Sequence, residues 1–204
     1  MSKSTFFGLD LETSGSDHRD HVPIQIGICA PSGATYQSQI GKWRWHDQGG
    51  AWVWSNEAAK VHGISRSELL AAPSAVEVDL EASEWVKSAA NGVPVKFRHM
   101  VGWNVAGFDR PFIDRHLPQT ARQFSYRTVD LNAIVFSLVE SGMKRPTGKF
   151  WKYDDLKREI KRRAAEMTFS EMGMAIDWHD AEYDAAASLM AFRVVTKMMR
   201  QEWR

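Results

Sequence analysis

Apolar and polar positions change their period along the chain, and these changes predict alternating strands and helices. Short apolar or alternating runs, which are typical of strands, are bounded by turn residues such as the "PSG" at 31–33. On this basis we predict five strands, at residues 5–11, 23–30, 34–40, 95–103 and 127–129. The second and third strands flank that turn and should pair as a hairpin.

Helices are predicted where apolar residues recur every three or four positions, or where capping residues mark a start. Ser55 or Asn56 caps a short helix that runs to residue 61, and Gly63 ends it. Further helices are expected at residues 75–89, 109–116, 131–141, 154–165 and 181–199. Three successive strands, followed by alternating strands and helices, indicate an α/β fold. We expect a mixed five-stranded sheet, with its first three strands antiparallel, flanked by helices on both faces.

Length and composition indicate one ordinary domain, over residues 1–204. Hydrophobic residues make up 44 % of the chain and the formal net charge is +1, so any electropositive surface must be local. Cys29 is the single cysteine, which excludes a disulfide or a cysteine-based zinc site within one chain. The apolar run at 6–9 is too short for a signal peptide, and the uncharged stretch at 21–41 predicts strands rather than a membrane span. We therefore expect a cytoplasmic protein without membrane contact.

Three short segments carry the residue types of a metal-dependent site. Asp10 and Glu12 are two positions apart in the first predicted strand, so both side chains should lie on one face. Asp109 follows the fourth predicted strand, and "WHDAEYDA" places His179 and Asp184 at the start of the last helix. Burying like charges side by side is costly unless a cation offsets them.

Each segment alone also has a simpler interpretation. An acid in the first turn of a helix is stabilised by the helix dipole, which would account for Asp109 and Asp184 without any chemistry. A lone histidine such as His179 is more often an ordinary surface residue than a catalytic one. Strand ends and helix starts nevertheless converge at one edge of a sheet, so the three segments can meet there.

Together, the segments resemble the motifs of the DnaQ-like 3′–5′ exonucleases of the DEDD superfamily, which have a ribonuclease H-like fold. The D-x-E motif, the Asn followed by Phe-Asp, and the H-x4-D motif of the histidine (DEDDh) subclass are matched by Asp10 and Glu12, by Asn104, Phe108 and Asp109, and by His179 and Asp184. The resemblance spans residues 6–190, and "KVHGIS" at 60–65 resembles a stretch of the polymerase-proofreading members. Trp103 departs from the family, which often has His before the Asn.

The resemblance implies a phosphodiester hydrolase that uses two divalent cations, Mg²⁺ with Mn²⁺ able to substitute. Asp10 would bridge both ions, Glu12 and Asp184 would complete one site, Asp109 would support the other, and His179 would be the general base. The implied reaction releases nucleoside 5′-monophosphates from the 3′ end of single-stranded DNA, with RNA as a further substrate. An oligoribonuclease-type exoribonuclease and a catalytically silent nucleic-acid-binding module are the alternatives.

The resemblance also implies a biological setting. The likeness to proofreading modules suggests proofreading or DNA repair, with a DNA polymerase as a candidate partner. The oligomeric state stays open, and a homodimer is one alternative.

Six further residues are expected to contact the substrate: Thr13, His62, Asn104, Phe108, Arg158 and Arg162. The resemblance places Thr13 near the terminal sugar and His62 near the terminal base or phosphate, although a histidine at a helix C-terminus is equally consistent with a dipole effect. Phe108 also suits core packing. Arg158 and Arg162 belong to a basic segment, 144–163, with nine Lys or Arg against three acids and interleaved aromatic residues. This composition favours a phosphate-tracking patch over a merely solvated helix face.

Four of the nine tryptophans lie within residues 43–54, as two W-x-W runs around a Gly-rich tip. The pattern predicts an extension of the hairpin. The rings could stack bases, cover a sheet edge, form a dimer contact or pack together, and packing is favoured. Asp130 precedes a predicted helix and is interpreted as its N-cap, although it also resembles a family acid.

Overall fold

The structure, a computed structural model, describes residues 4–200. Within this range a single sheet contains the strands β1 (Thr5–Thr13), β2 (Pro23–Cys29), β3 (Thr35–Gln39), β4 (Arg98–Gly102) and β5 (Thr128–Asp130). Their order is β3-β2-β1-β4-β5. The first three strands are mutually antiparallel, whereas β4 is parallel to β1 and β5 is parallel to β4. The predicted mixed five-stranded sheet is confirmed.

The same range contains seven α-helices: α1 (Asn56–His62), α2 (Ala75–Ala89), α3 (Asp109–His116), α4 (Pro118–Ala121), α5 (Leu131–Glu140), α6 (Tyr153–Met172) and α7 (Ala181–Met199). Helices α2, α3 and α4 pack on one face of the sheet, and α5, α6 and α7 pack on the other. None of the helices in residues 4–200 combines the length and apolar composition that a membrane crossing requires.

The alternation of residues along β1 separates the core from the acids. Phe7, Leu9 and Leu11 are buried in the core formed with α2 and α3. Asp10 and Glu12 alternate with them and therefore share the opposite face, which α7 covers. One strand thus contributes to a hydrophobic core on one side and to a polar cluster on the other.

The close approach of α7 to the sheet depends on two glycines. A Cβ atom on Gly8 would lie 1.9 Å from the carbonyl oxygen of Ala185, and one on Gly27 would lie 1.9 Å from that of Ala181. Gly27 pairs directly with Asp10 across the β1–β2 ladder. Because neither glycine has a side chain, the first turns of α7 can pack directly on the part of the sheet that carries Asp10.

The Trp-rich segment does not form the predicted hairpin extension. Trp45 and Trp52 make a single isolated bridge, and a 3₁₀ turn at His46–Gln48 separates them. The rings pack together instead, with Trp45 only 4 % exposed and its ring centroid 5.1 Å from that of Trp54. Tertiary packing therefore outweighs the alternating pattern in this segment, and packing was the favoured interpretation.

Several predicted boundaries differ from those observed. The fourth strand begins at Arg98 rather than at residue 95, because Val95–Phe97 form a 3₁₀ turn that the N–H of Phe97 closes onto the carbonyl of Pro94. Helix α6 continues to Met172, seven residues past the predicted end, and α4 was not predicted. Asp130 is the N-cap of α5, as interpreted, and accepts the N–H of Asn132 at 2.9 Å.

Replacing Gly27 with alanine should displace α7, because the new methyl group would meet backbone rather than a movable side chain. We expect Gly27→Ala to lower the free energy of unfolding by at least about 2 kcal/mol in urea denaturation. Gly33→Ala is the matched control: its site is open but has φ 89°, so it should cost only about 1 kcal/mol. Equal losses for the two variants would contradict the steric explanation.

Candidate active site

Four carboxylates from three elements lie at one edge of the sheet. Asp10 and Glu12 project from β1, Asp109 is the first residue of α3, and Asp184 lies in the first turn of α7. The backbone N–H of Leu11 donates a hydrogen bond of 3.1 Å to Asp109 Oδ1, which ties the start of α3 to β1. Ligand atoms of Glu12, His179 and Asp184 lie within 4.8 Å of one another. The structure thus brings residues from distant parts of the sequence to one point.

A small polar network holds the start of α7 against β2. Asp180 caps the helix, because its Oδ1 accepts two N–H groups of the first turn at 3.1 Å each. Gln25 donates through Nε2 to Asp180 Oδ2 at 3.2 Å, and its Oε1 accepts the N–H of Ala181 at 3.1 Å. Since Gln25 pairs with Glu12 across the β1–β2 ladder, the network aligns the helix start with an acid of the cluster.

His179 occupies a strained position directly before this helix. Its φ of 71° lies in the left-handed region, which a non-glycine residue adopts at a cost on the order of 1 kcal/mol or more. Its backbone N–H donates to Asp184 Oδ2 at 3.0 Å. The hydrogen bond holds the turn that presents the exposed imidazole beside the acids.

Burial and mutual repulsion raise the pKa values of the acids. For Asp10, burial is the largest cause of the raised pKa, followed by the charges of Asp109, Asp184 and Glu12. Burial likewise raises the pKa of Glu12 to about 8, and it raises the pKa of Asp109 and of Asp184. The charge of Lys161 opposes the shift in pKa at Asp10 and Asp184. One ammonium group does not balance four carboxylates, so the cluster favours the uptake of further positive charge.

This donor set fits hard divalent cations. Carboxylate oxygens are the ligands that Mg²⁺ prefers in proteins, and a cation would supply the positive charge that the raised pKa values call for. Glu12, His179 and Asp184 form a group that could hold one metal ion. Asp10 and Asp109 interact electrostatically with that group and could supply further oxygens.

The predicted substrate residues Thr13 and His62 are the last residues of β1 and α1 respectively. Thr13 is buried, and its hydroxyl donates to the carbonyl of Gly15 at 2.7 Å. His62 Nδ1 accepts the N–H of Ile64 at 3.0 Å, so Nε2 carries the ring proton. That buried Nε2 has no hydrogen-bond partner among the residues described. Burial, and secondarily the charge of His179, lowers the pKa of His62, which places the two imidazoles within electrostatic range.

Asn104 and Phe108 shape the turn between β4 and α3. Asn104 has φ 64°, and its carbonyl accepts the N–H groups of Gly107 at 3.0 Å and Phe108 at 2.9 Å. The half-buried Phe108 ring lies 5.2 Å from that of Phe112, which is consistent with packing. Asn104 itself is exposed at the surface.

Arg158 and Arg162 lie on the outer face of α6 and not at the acid cluster. Arg162 forms ion pairs with Glu159 and Glu166, and Arg158 lies 3.6 Å from Asp155. These pairs partly neutralise the basic segment that the sequence singled out. The two arginines therefore do not share the position of the acids in this structure.

Sequence reasoning counted Lys157 and Lys161 in the basic segment 144–163 but did not single them out. Lys161 acts electrostatically on two of the acids, and its Nζ lies 5.2 Å from the ring centroid of Trp178. Lys157 lies beside it, and its own pKa is lowered by burial and by the charge of Lys161. The available signal was the four-residue spacing of Tyr153, Lys157 and Lys161, which places them on one face of a helix.

No protein-family model matches the chain, and no curated protein matches it in sequence. Solved structures do match it. The zinc ion-bound complex of E. coli exonuclease I with ssDNA has a TM-score of 0.62 at 16 % identity, covering 98 % of this chain and 41 % of that chain. This chain shares its fold with part of exonuclease I.

Other structures of exonuclease I give the same result. E. coli exonuclease I in complex with a 5cy-dT13 oligonucleotide has a TM-score of 0.62 at 17 % identity, covering 98 % of this chain and 42 % of that one. A product-bound exonuclease I has a TM-score of 0.61 at 16 % identity, covering 98 % and 45 %. The chain therefore spans less than half the length of these exonuclease I chains. The order of its strands is consistent with the predicted ribonuclease H-like fold.

The raised pKa values predict how the stability of the metal-free protein depends on pH. Each acid of the cluster has a native pKa above its unfolded value, so the native state binds more protons than the unfolded state between about pH 4 and the native pKa. Stability from this source is therefore lost as the pH rises, up to about pH 8, where Glu12 ionises. In EDTA, the melting temperature of Glu12→Gln should rise relative to wild type between pH 5 and pH 8.

The control for this measurement is Glu84→Gln, which removes an exposed carboxylate on α2. Its difference from wild type should stay constant over the same range. Adding Mg²⁺ should stabilise the wild type more at pH 8 than at pH 5, because protons no longer compete for the acids. A Glu12→Gln difference that does not change with pH would contradict this account of the cluster.

Proposed function

We propose that this protein is a metal-dependent 3′–5′ exonuclease of the DEDDh type, which hydrolyses single-stranded DNA to nucleoside 5′-monophosphates. The observation that carries the proposal is the convergence of Asp10, Glu12, Asp109 and Asp184 with His179 at one sheet edge. The fold shared with exonuclease I, which was solved with single-stranded oligonucleotides, supports the same assignment. In this proposal residues 1–204 act as one exonuclease domain.

The four acids would hold two divalent ions, Mg²⁺ or Mn²⁺, which in such sites stabilise the attacking and leaving oxygens of a phosphodiester. The charges of the other three acids all act on Asp10, which suits the bridging role expected of it. Glu12 and Asp184 lie together with His179 and would complete one site, and Asp109 would support the other.

His179 would remove a proton from the attacking water. The water oxygen forms a bond to phosphorus, the bond from phosphorus to the 3′ oxygen of the preceding nucleotide breaks, and that oxygen takes up a proton. Imidazole is the side chain that most often accepts a proton in general acid–base catalysis. The exposed position of His179 next to Asp184 gives water access to the ring.

Thr13, His62, Asn104 and Phe108 remain the proposed contacts to the terminal nucleotide. The Nε2–H of His62 lacks a partner among the described residues, and a ligand oxygen would satisfy it. The DNA polymerase as a candidate partner and the cytoplasmic location stay predictions, and a homodimer stays one alternative for the oligomeric state.

The decisive experiment is an assay on matched oligonucleotides. With Mg²⁺, a 5′-labelled single-stranded DNA should shorten one nucleotide at a time from its 3′ end, and EDTA should abolish the reaction. Asp184→Asn, which keeps the size of the side chain but removes its charge, should lower kcat at least about a hundredfold. Faster cleavage of the equivalent RNA would favour the oligoribonuclease alternative. Binding without cleavage of either substrate would favour the silent module.

His179→Ala separates a general base from a metal ligand. Loss of the base should lower kcat by about 10²–10⁴-fold while leaving the Mn²⁺ dissociation constant and the affinity for DNA nearly unchanged. Mn²⁺ binding is measured by calorimetry. An equal loss of metal affinity and turnover would instead make His179 a ligand.

A further inference from the structure

Three residues form a stripe along one face of α6, and the last of them, Lys161, interacts electrostatically with the acid cluster. Tyr153, Lys157 and Lys161 are four residues apart and so lie along one face of the helix. Tyr153 and Lys157 are fixed by a shared partner, since the hydroxyl and the ammonium both donate to Asn132 Oδ1, at 2.8 and 2.9 Å. A neutral amide, that of Asn132, therefore orients both Tyr153 and Lys157.

Lys161 lies between two tryptophan rings. Its Nζ is 5.5 Å from the ring centroid of Trp103 and 5.2 Å from that of Trp178. Lys157 also contacts Trp103, at 5.2 Å. These distances are within the range of cation–π attraction, which favours an ammonium group over a ring face.

The cations of α6 therefore fall into two classes. Arg158 and Arg162, on the outer face, are paired with carboxylates of their own helix. For Lys161 no ion pair within 4.0 Å occurs among residues 4–200, although its charge reaches Asp10 and Asp184. Aromatic rings rather than acids hold this ammonium, so its hydrogen-bond donors stay available to a ligand.

We propose that Lys161, held between Trp103 and Trp178 and assisted by Lys157, forms a subsite for a backbone phosphate of single-stranded nucleic acid beside the acid cluster. The inference rests on the proposed function. A polyanionic strand that approaches four carboxylates meets repulsion, and an ammonium at their border offsets it. The Trp178 ring, 39 % exposed, lies next to this ammonium and offers a face to a base.

The test measures binding of a fluorescent oligo-dT to the 204-residue protein as a function of salt. All proteins carry Asp184→Asn, so that the oligonucleotide is not degraded. Lys161→Met should weaken binding and make the slope of log K against log[salt] less steep by about 0.7, the value for one lost phosphate contact on a single strand. The affinity gap between the parent and Lys161→Met should therefore shrink about 2.6-fold between 50 and 200 mM salt.

Two further variants distinguish charge from packing. Lys161→Arg keeps a cation between the rings and should retain the parent slope. Lys197→Met removes an exposed lysine near the opposite end of α7 and should leave both affinity and slope unchanged. Melting temperatures of the three variants report whether the fold is intact. A parent-like slope for Lys161→Met, or a reduced slope for Lys161→Arg, would overturn the proposal.

This outcome is separable from that of the proposed function. If the wild type releases mononucleotides but Lys161→Met keeps the parent slope, the exonuclease stands and the subsite is refuted. If no cleavage occurs but the slope depends on Lys161, the subsite stands and the exonuclease assignment fails.

Discussion

Repulsion among carboxylates at one sheet edge is the constraint around which this molecule is arranged. Four acids from β1, α3 and α7 are brought into a partly buried cluster, where burial and neighbouring charges each oppose ionisation. Such a cluster is unfavourable for folding unless protons or cations balance it. A protein that retains it therefore needs positive charge there, and oxygen-rich donor sets of this kind suit divalent cations.

The surrounding fold supplies the force that holds the acids together. Glycines at positions 8 and 27 let α7 descend onto the sheet, and an alanine stripe on the helix meets them. Gln25 and Asp180 then align the start of α7 with β1, and the left-handed backbone of His179 completes the approach. Close backbone packing thus stabilises an arrangement that electrostatics alone would disperse.

The surroundings of each cation in the basic segment 144–163, rather than the number of cations, decide which of them is available to a ligand. The composition of segment 144–163 predicts a single basic patch. In the structure, however, Arg158 and Arg162 pair with acids of their own helix. Lys157 and Lys161 instead lie over aromatic rings. A cation held over a ring keeps its full charge and its hydrogen-bond donors, whereas the charge of an ion-paired cation is already offset by its carboxylate. Position on the helix therefore separates a solvated surface from a candidate contact surface.

The sequence by itself determined those features that depend on local periodicity and capping. The two faces of β1, the bounds of α2, α3 and α7, the N-cap at Asp130 and the spacing of the acidic segments all follow from neighbouring residues. Only the tertiary structure decided the packing of Trp45 with Val22, Ile24 and Leu69, and which face of α6 lies against Trp103 and Trp178. These features depend on contacts between segments far apart in the chain, and such contacts leave no repeating signal in the local order of residues.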